Sequence, residues 1–166
     1  IWAGTFHSIC ARILRRYGDF LGYSSHFTIY DTSDSERIMR DIIKAMGLDD
    51  KTFPAKYVLS VISKEKDAMT TPERLLARAE MNGDFRIKPY QAYQTQLKEN
   101  NAVDFDDIIL LTVKLLQENE DIRTYYQRKF KYVLVDEYQD TNHMQYLLTA
   151  LLAGKYENIC VVGDDD

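Results

Sequence analysis

Cysteine is almost missing from this chain. The two that occur, Cys10 and Cys160, lie far apart and both sit in apolar runs. Such a pair builds neither a disulfide scaffold nor a metal knuckle, and buried free thiols in a reducing compartment are the expected reading. Positive charge is also short. Twenty-one Lys and Arg stand against 26 Asp and Glu, a formal net charge of −5. A whole-surface basic field, the coarse footprint of nucleic-acid binding, is thereby excluded, so any such binding must use a local patch and hydrogen bonds. No apolar run approaches the roughly 18 residues that a membrane span needs. Repeats, low-complexity stretches and obvious flexible linkers are missing too.

What is present is ordinary in bulk. The 166 residues are 45% hydrophobic and 28% charged, about the size of one domain with enough apolar material for a core. The chain starts at Ile1 inside what reads as a strand and stops at "VVGDDD" just past another, so a piece of something larger is expected.

Along the chain the pattern is helical for about a hundred residues. "IWAG" reads as the end of a strand. "TFHSICARILRRYGDFLG" reads as a helix with Thr5 or Ser8 as cap, and "TSDSERIMRDIIKAMG" as another with Asp34 or Ser35 as cap. "HFTIYD" between them is a short extended piece. "PAKYVLSVISKEKDAM" continues in helix, "TPERLLARAEMNG" starts with Pro72 in its first turn, and Pro89 opens "PYQAYQTQLKENN". In "VDFDDIILLTVKLLQEN", Asp104 caps and Asp107 follows three residues later, a capping box with a shorter acid. Phe105, Ile108, Ile109, Thr112, Leu115 and Leu116 share one face, so Phe105 reads as core and the acids as cap or solvent-facing. "DIRTYYQRKF" is a further short helix.

The character then changes. "YVLVD" is a short, fully apolar strand, "TNHMQYLLTALLAG" a helix, and "NICVVG" a second such strand. Strand, helix and strand joined by a short crossover make a βαβ unit with parallel strands. The fold class read from this is α/β: a partial parallel sheet with a large all-α inserted subdomain.

The first of these strands runs into "DEYQDTN", and the second ends at Asp164, Asp165 and Asp166. Open α/β sheets deliver functional residues at the carboxyl ends of their strands. Acids gathered there repel one another unless a cation or a shared proton offsets them. A hydrated Mg2+ carrying nucleotide phosphates is the natural partner, with one acid serving the metal and the next polarising a water. The plainer alternative is a pair of surface acids at a turn, with Asp140 or Thr141 capping the next helix.

The motifs together resemble those of the superfamily-one UvrD/PcrA/Rep DNA helicases. "VLVDEYQDTN" resembles their Walker B motif or motif II, and "VVGDDD" the start of motif III. "GTFHSICARILRR" is similar to motif Ib, "VDFDDIILLTVKLL" to motif Ic, and "ISKEKDAMTTP", with Lys66 and Pro72 in matching places, to a short motif of the 1B subdomain. All five occur in the family's order across essentially the whole chain, and the likeness is strongest to the PcrA-like branch.

The resemblance implies a RecA-like, P-loop NTPase motor core. Residues 1–20 and 128–166 would be parts of subdomain 1A, and residues 21–127 the helical 1B insert. It implies that Asp136 holds the Mg2+ of Mg-ATP, that Glu137 activates the hydrolytic water, and that Gln139, Asp140 and Asp164 couple the ATP site to its neighbours. It implies single-stranded DNA contacts from Thr5, Phe6, His7 and Ser8, with Ser63 and Lys66 as candidates for strand or duplex contacts at junctions. Arg12, Arg15 and Arg16 either add local positive charge or form an ordinary solvated face. The family's "GxGKT" phosphate loop, its motif Ia, its arginine fingers and its second motor domain have no counterpart in these residues. This chain by itself is therefore expected neither to hydrolyse ATP nor to unwind DNA.

The implied parent is an ATP-dependent 3′ to 5′ helicase or translocase, cytoplasmic in a bacterium and associated with the nucleoid. Its partners would be single-stranded DNA, junctions, and repair or replication proteins. Two alternatives stand beside it: a helicase–nuclease subunit of the AddA or RecB kind, and a non-catalytic DNA- or protein-binding module.

Overall fold

The computed structural model describes residues 5–78, 84–129, 133–136, 143–153 and 159–162. Its elements in chain order are α1 (Phe6–Tyr17), β1 (Thr28–Ile29), α2 (Thr32–Ala45), α3 (Ala55–Asp67), α4 (Pro72–Arg78) and α5 (Ile87–Glu99). These are followed by β2 (Ala102–Val103), α6 (Phe105–Glu118), α7 (Glu120–Lys129), β3 (Val133–Asp136), α8 (His143–Ala153) and β4 (Ile159–Val162). Among the described residues the architecture is mostly helical, with two small parallel two-stranded sheets.

The expected βαβ unit is present. β3 pairs parallel with β4 in the register Val133↔Ile159 to Asp136↔Val162, and α8 makes the crossover. The other sheet was not foreseen. β1 lies parallel to β2, and the amide of Tyr30 donates to the carbonyl of Val103 at 2.8 Å. Two residues per strand are too few to show an alternating pattern. The "IWAG" strand lies outside the described residues.

Two apolar cores organise the helices. One gathers Cys10, Ile13 and Leu14 of α1 with Ile108, Ile109, Val113, Leu115 and Leu116 of α6, Ile122 and Tyr126 of α7, and Met144 and Leu148 of α8. The other gathers Met39 and Ile43 of α2, Val58 and Ile62 of α3, Leu75 of α4, and Tyr90, Tyr93 and Leu97 of α5. The short sheet passes from one to the other, since Ala102 belongs to the second core and Val103 to the first. Cys10 is a fully buried free thiol, and that burial pushes its pKa up to about 12, so it packs as a small apolar residue.

Local capping sets the helix starts. The Thr5 side chain caps α1 by accepting from the amide of Ser8 at 3.1 Å. Asp104 and Asp107 form the expected reciprocal box at the start of α6. At α2 the cap is one turn earlier than expected: Asp31 accepts from the amide of Asp34, and Asp34 returns the bond. Ser35 is buried instead. The α1 helix ends at Tyr17 and tightens into a 3-10 turn over Gly18–Leu21, closed by Gly22 at φ +82. That left-handed conformation favours glycine, and a Cβ there would also sit 2.9 Å from the Lys98 Nζ. Pro89 lies within the first turn of α5 rather than opening it.

Phe105 corrects its sequence reading. It shares the apolar spacing of Ile108 and Ile109 yet is 49% exposed. Side chains on a helix lean toward its N-terminus, so a first-turn residue reaches past the end of the core it is in phase with.

Candidate functional site

Thr5 has extended backbone angles, and its hydroxyl turns back to cap α1. The Ser8 hydroxyl donates to the Thr5 carbonyl at 3.0 Å, which locks this first turn. Both residues are exposed, and they stand at a helix N-terminus, whose first-turn amides and positive dipole end suit an anion. Phe6 turns inward and packs against the core. His7 is half-buried, and its ring meets the exposed Phe105 ring edge-on, with 5.8 Å between centroids and 88° between planes. The starts of α1 and α6 thus come together, one offering amides and hydroxyls, the other an open aromatic face. Sequence reasoning missed Phe105 because helical phase assigned it to the core. Its place as the first helical residue, before the first inward position, was the available signal.

The first turn of α6 is held from behind by a buried ionic cluster. Lys66 of α3 is wholly buried, and its ammonium donates to Asp104 Oδ2 at 2.8 Å and to Asp107 Oδ1 at 2.9 Å. Its remaining side faces the Tyr93 ring, 5.0 Å from the centroid. Tyr93 donates its hydroxyl proton to Asp104 Oδ2 at 2.9 Å and meets the Ser35 hydroxyl at the same distance. Asp104 Oδ1 accepts from the amide of Asp107 at 2.8 Å, which completes the cap. This corrects the expectation for Lys66 as a surface DNA contact: all of its ammonium is turned inward. The signal was in the sequence, because Lys66 continues the buried stripe Ala55, Val58, Ile62 of α3 at helical spacing.

Ser63, one turn earlier on α3, is half-buried, and its hydroxyl favours the charged form of the nearby Asp106. It lines a groove with Ser60, Tyr93, Phe105 and Asp106. Of the three arginines, Arg15 is committed to structure: its guanidinium donates to the carbonyls of Ser25 and Phe27 and lies 3.8 Å over the Phe27 ring. Arg16 lies over the rings of Tyr17 and Tyr125, and Arg12 is exposed.

One lysine charge serves two buried carboxylates, and they divide it unequally. Burial would push the Lys66 ammonium down, but the Asp107 and Asp104 charges raise it, so it stays protonated. Burial also works against the charged form of Asp104, yet the neighbouring Lys66 holds that carboxyl below its ordinary value. For Asp107, burial prevails and raises the pKa to about 6. Burial, then the charge of Asp106, raises Asp67 to about 6, and Asp106 is raised as well. An acid whose folded pKa is raised binds more protons folded than unfolded between the two values, so stability falls as pH rises through that window. Unfolding temperature is expected to be higher near pH 5 than at pH 7.5, and Asp107→Asn is expected to flatten the slope. A pH titration of thermal unfolding checks this.

Asp136 is the last residue of β3, and its backbone stands in register with Val162, the last residue of β4. The two carboxyl ends are therefore adjacent, as the strand-end reading requires. Glu137, Gln139, Asp140 and Asp164 lie outside the described residues. Among the described residues, no group of three or more His, Cys, Asp or Glu could hold a metal ion, and no helix is long and apolar enough to cross a membrane.

Comparison with known proteins matches residues 1–166 to the model of the UvrD/REP helicase N-terminal domain. The chain is 44% identical to the ATP-dependent DNA helicase PcrA of Staphylococcus epidermidis, over all of this chain and 23% of that protein. It is 43% identical to the ATP-dependent DNA helicase PcrA of Staphylococcus aureus, again over all of this chain and 23% of the relative. It thus spans about a quarter of the length of the curated relatives it matches.

Proposed function

Since the chain belongs to the UvrD/REP helicase N-terminal family, we propose that the whole protein is an ATP-dependent DNA helicase moving 3′ to 5′ on single-stranded DNA. This chain supplies part of its DNA-contacting face and the carboxylates of its ATP site. Its relatives are named ATP-dependent DNA helicases, which supports the class. The observation that carries the DNA half is the exposed Phe105 ring standing against His7 at the shared starts of α6 and α1. Amides and hydroxyls at a helix N-terminus suit a phosphate, and an open aromatic face suits a nucleobase. In a chain of net charge −5, binding by stacking and hydrogen bonds is what remains without a broad basic field.

Thr5, His7 and Ser8 contact the phosphate backbone in this reading, and Phe105 stacks on a base. Ser63 stands at the rim of the groove beside it. Residues 21–127 form the helical 1B insert on a RecA-like 1A core. The test is Phe105→Ala in the full-length protein, read as affinity for a single-stranded oligonucleotide. Base–aromatic stacking contributes about 1–3 kcal/mol, so affinity is expected to fall by roughly five- to 150-fold. Unchanged affinity would remove Phe105 from the interface.

For the ATP half, Asp136 at the strand end offers a hard carboxylate oxygen suited to Mg2+, with Asp164 following the neighbouring strand. The ion, when bound with ATP, would neutralise charge on the phosphates. Glu137 accepts the proton of the attacking water. Gln139, Asp140 and Asp164 link that site to the elements around it.

A further inference from the structure

Lys66 belongs to the core of α2–α5 by its backbone and to the start of α6 by its ammonium. An apolar side chain of similar volume would fill the same space, and buried ion pairs seldom stabilise more than good packing does. What the ionic cluster supplies instead is direction. The ammonium grips Asp104 and Asp107, the two residues of the cap box, and Phe105 stands between them in sequence. Tyr93 of α5 grips the same Asp104 oxygen and reaches Ser35 of α2. Three helices of the second core thereby fix the one turn that presents the Phe105 ring to His7 at 5.8 Å.

We propose that Lys66 is a positioning residue for single-stranded DNA: by clamping the first turn of α6 it holds Phe105 in stacking geometry, so that the α2–α5 helices govern the base platform without touching DNA through Lys66. The inference rests on Phe105 being a DNA contact.

The experiment is a double-mutant cycle in the full-length protein. It is read as the dissociation constant for an oligothymidylate and as quenching of a 2-aminopurine placed within it. The variant K66M/D107N removes the clamp while keeping the buried net charge at its starting value, because one cation and one carboxylate leave together. It is combined with Phe105→Ala. K66M/D107N is expected to weaken binding about tenfold and to reduce quenching when Phe105 is present, and to change affinity less than about twofold when Phe105 is already alanine, because residues acting through one contact are not additive. Equal losses in both backgrounds would show that Lys66 supports the fold at large, and would overturn the proposal. No loss from K66M/D107N beside a clear loss from Phe105→Ala would overturn it and leave the interface standing. No loss from Phe105→Ala would overturn the interface and this inference with it. If K66M/D107N does not fold, Tyr93→Phe runs the same cycle, since it removes one hydrogen bond to Asp104 and keeps the ring. The expected loss is then smaller, about threefold, and again confined to the Phe105 background.

Discussion

Lys66→Met is expected to destabilise the protein by about 3–5 kcal/mol, the usual cost of breaking a buried ion pair by removing one partner. The methionine fills most of the space, so the loss is electrostatic. Asp104 and Asp107 are left facing each other inside the protein with no cation between them. One of them must take a proton, and Asp107, with its pKa already raised to about 6, is the one placed to do so. The deficit of the variant is therefore expected to shrink as pH falls from 7.5 toward 5. Adding Asp107→Asn is expected to recover much of it at neutral pH, since the second charge is gone. For a domain of this size the shift in unfolding temperature is on the order of 10 °C. Scanning fluorimetry at two pH values measures all of this. A shift below about 2 °C at pH 7.5 would mean that water reaches the Lys66 ammonium.

Glu137→Gln is expected to lower ATP turnover in the full-length protein by about 10²- to 10⁴-fold, the range over which a positioned general base contributes. The amide keeps the size and hydrogen-bonding reach of the carboxylate but does not accept a proton. Nucleotide affinity is expected to hold, which separates this variant from Asp136→Asn, where weaker Mg-nucleotide binding is expected. Turnover measured beside equilibrium binding of a fluorescent ATP analogue distinguishes the two. Near-normal turnover by Glu137→Gln would place the base elsewhere.

These expectations differ in how far the sequence alone supports them, and the reason is range. The α6 cap box spans four residues, and the residue types at Asp104 and Asp107 already specify it. The parallel pairing of β3 and β4 follows from a short crossover between two apolar runs. Lys66 reaches an acid 38 positions away, and nothing local to either residue names the other. Its place on the buried stripe of α3 pointed to an internal lysine but not to its partners. Phe105 departs from its sequence pattern for the opposite reason. Its spacing is in phase with the core, and only the end of the helix, where packing partners run out, makes it a surface residue. At α2, Asp31 and Asp34 are equally good acids at a helix start, and the cap fell on the one preceding the first helical turn. Of the motif acids, Asp136 is described by its strand register, and the reading of its neighbours continues to rest on the motif itself.

The most direct test of the account is ATP hydrolysis by the full-length protein, measured with and without single-stranded DNA. The expected result is turnover that rises strongly when DNA is added and loses most of that rise in Phe105→Ala, because the proposed function couples a base platform to an ATP site. Turnover indifferent to DNA, or absent in both conditions, would contradict the account and make the chain a DNA- or protein-binding module that has kept the motifs without the engine.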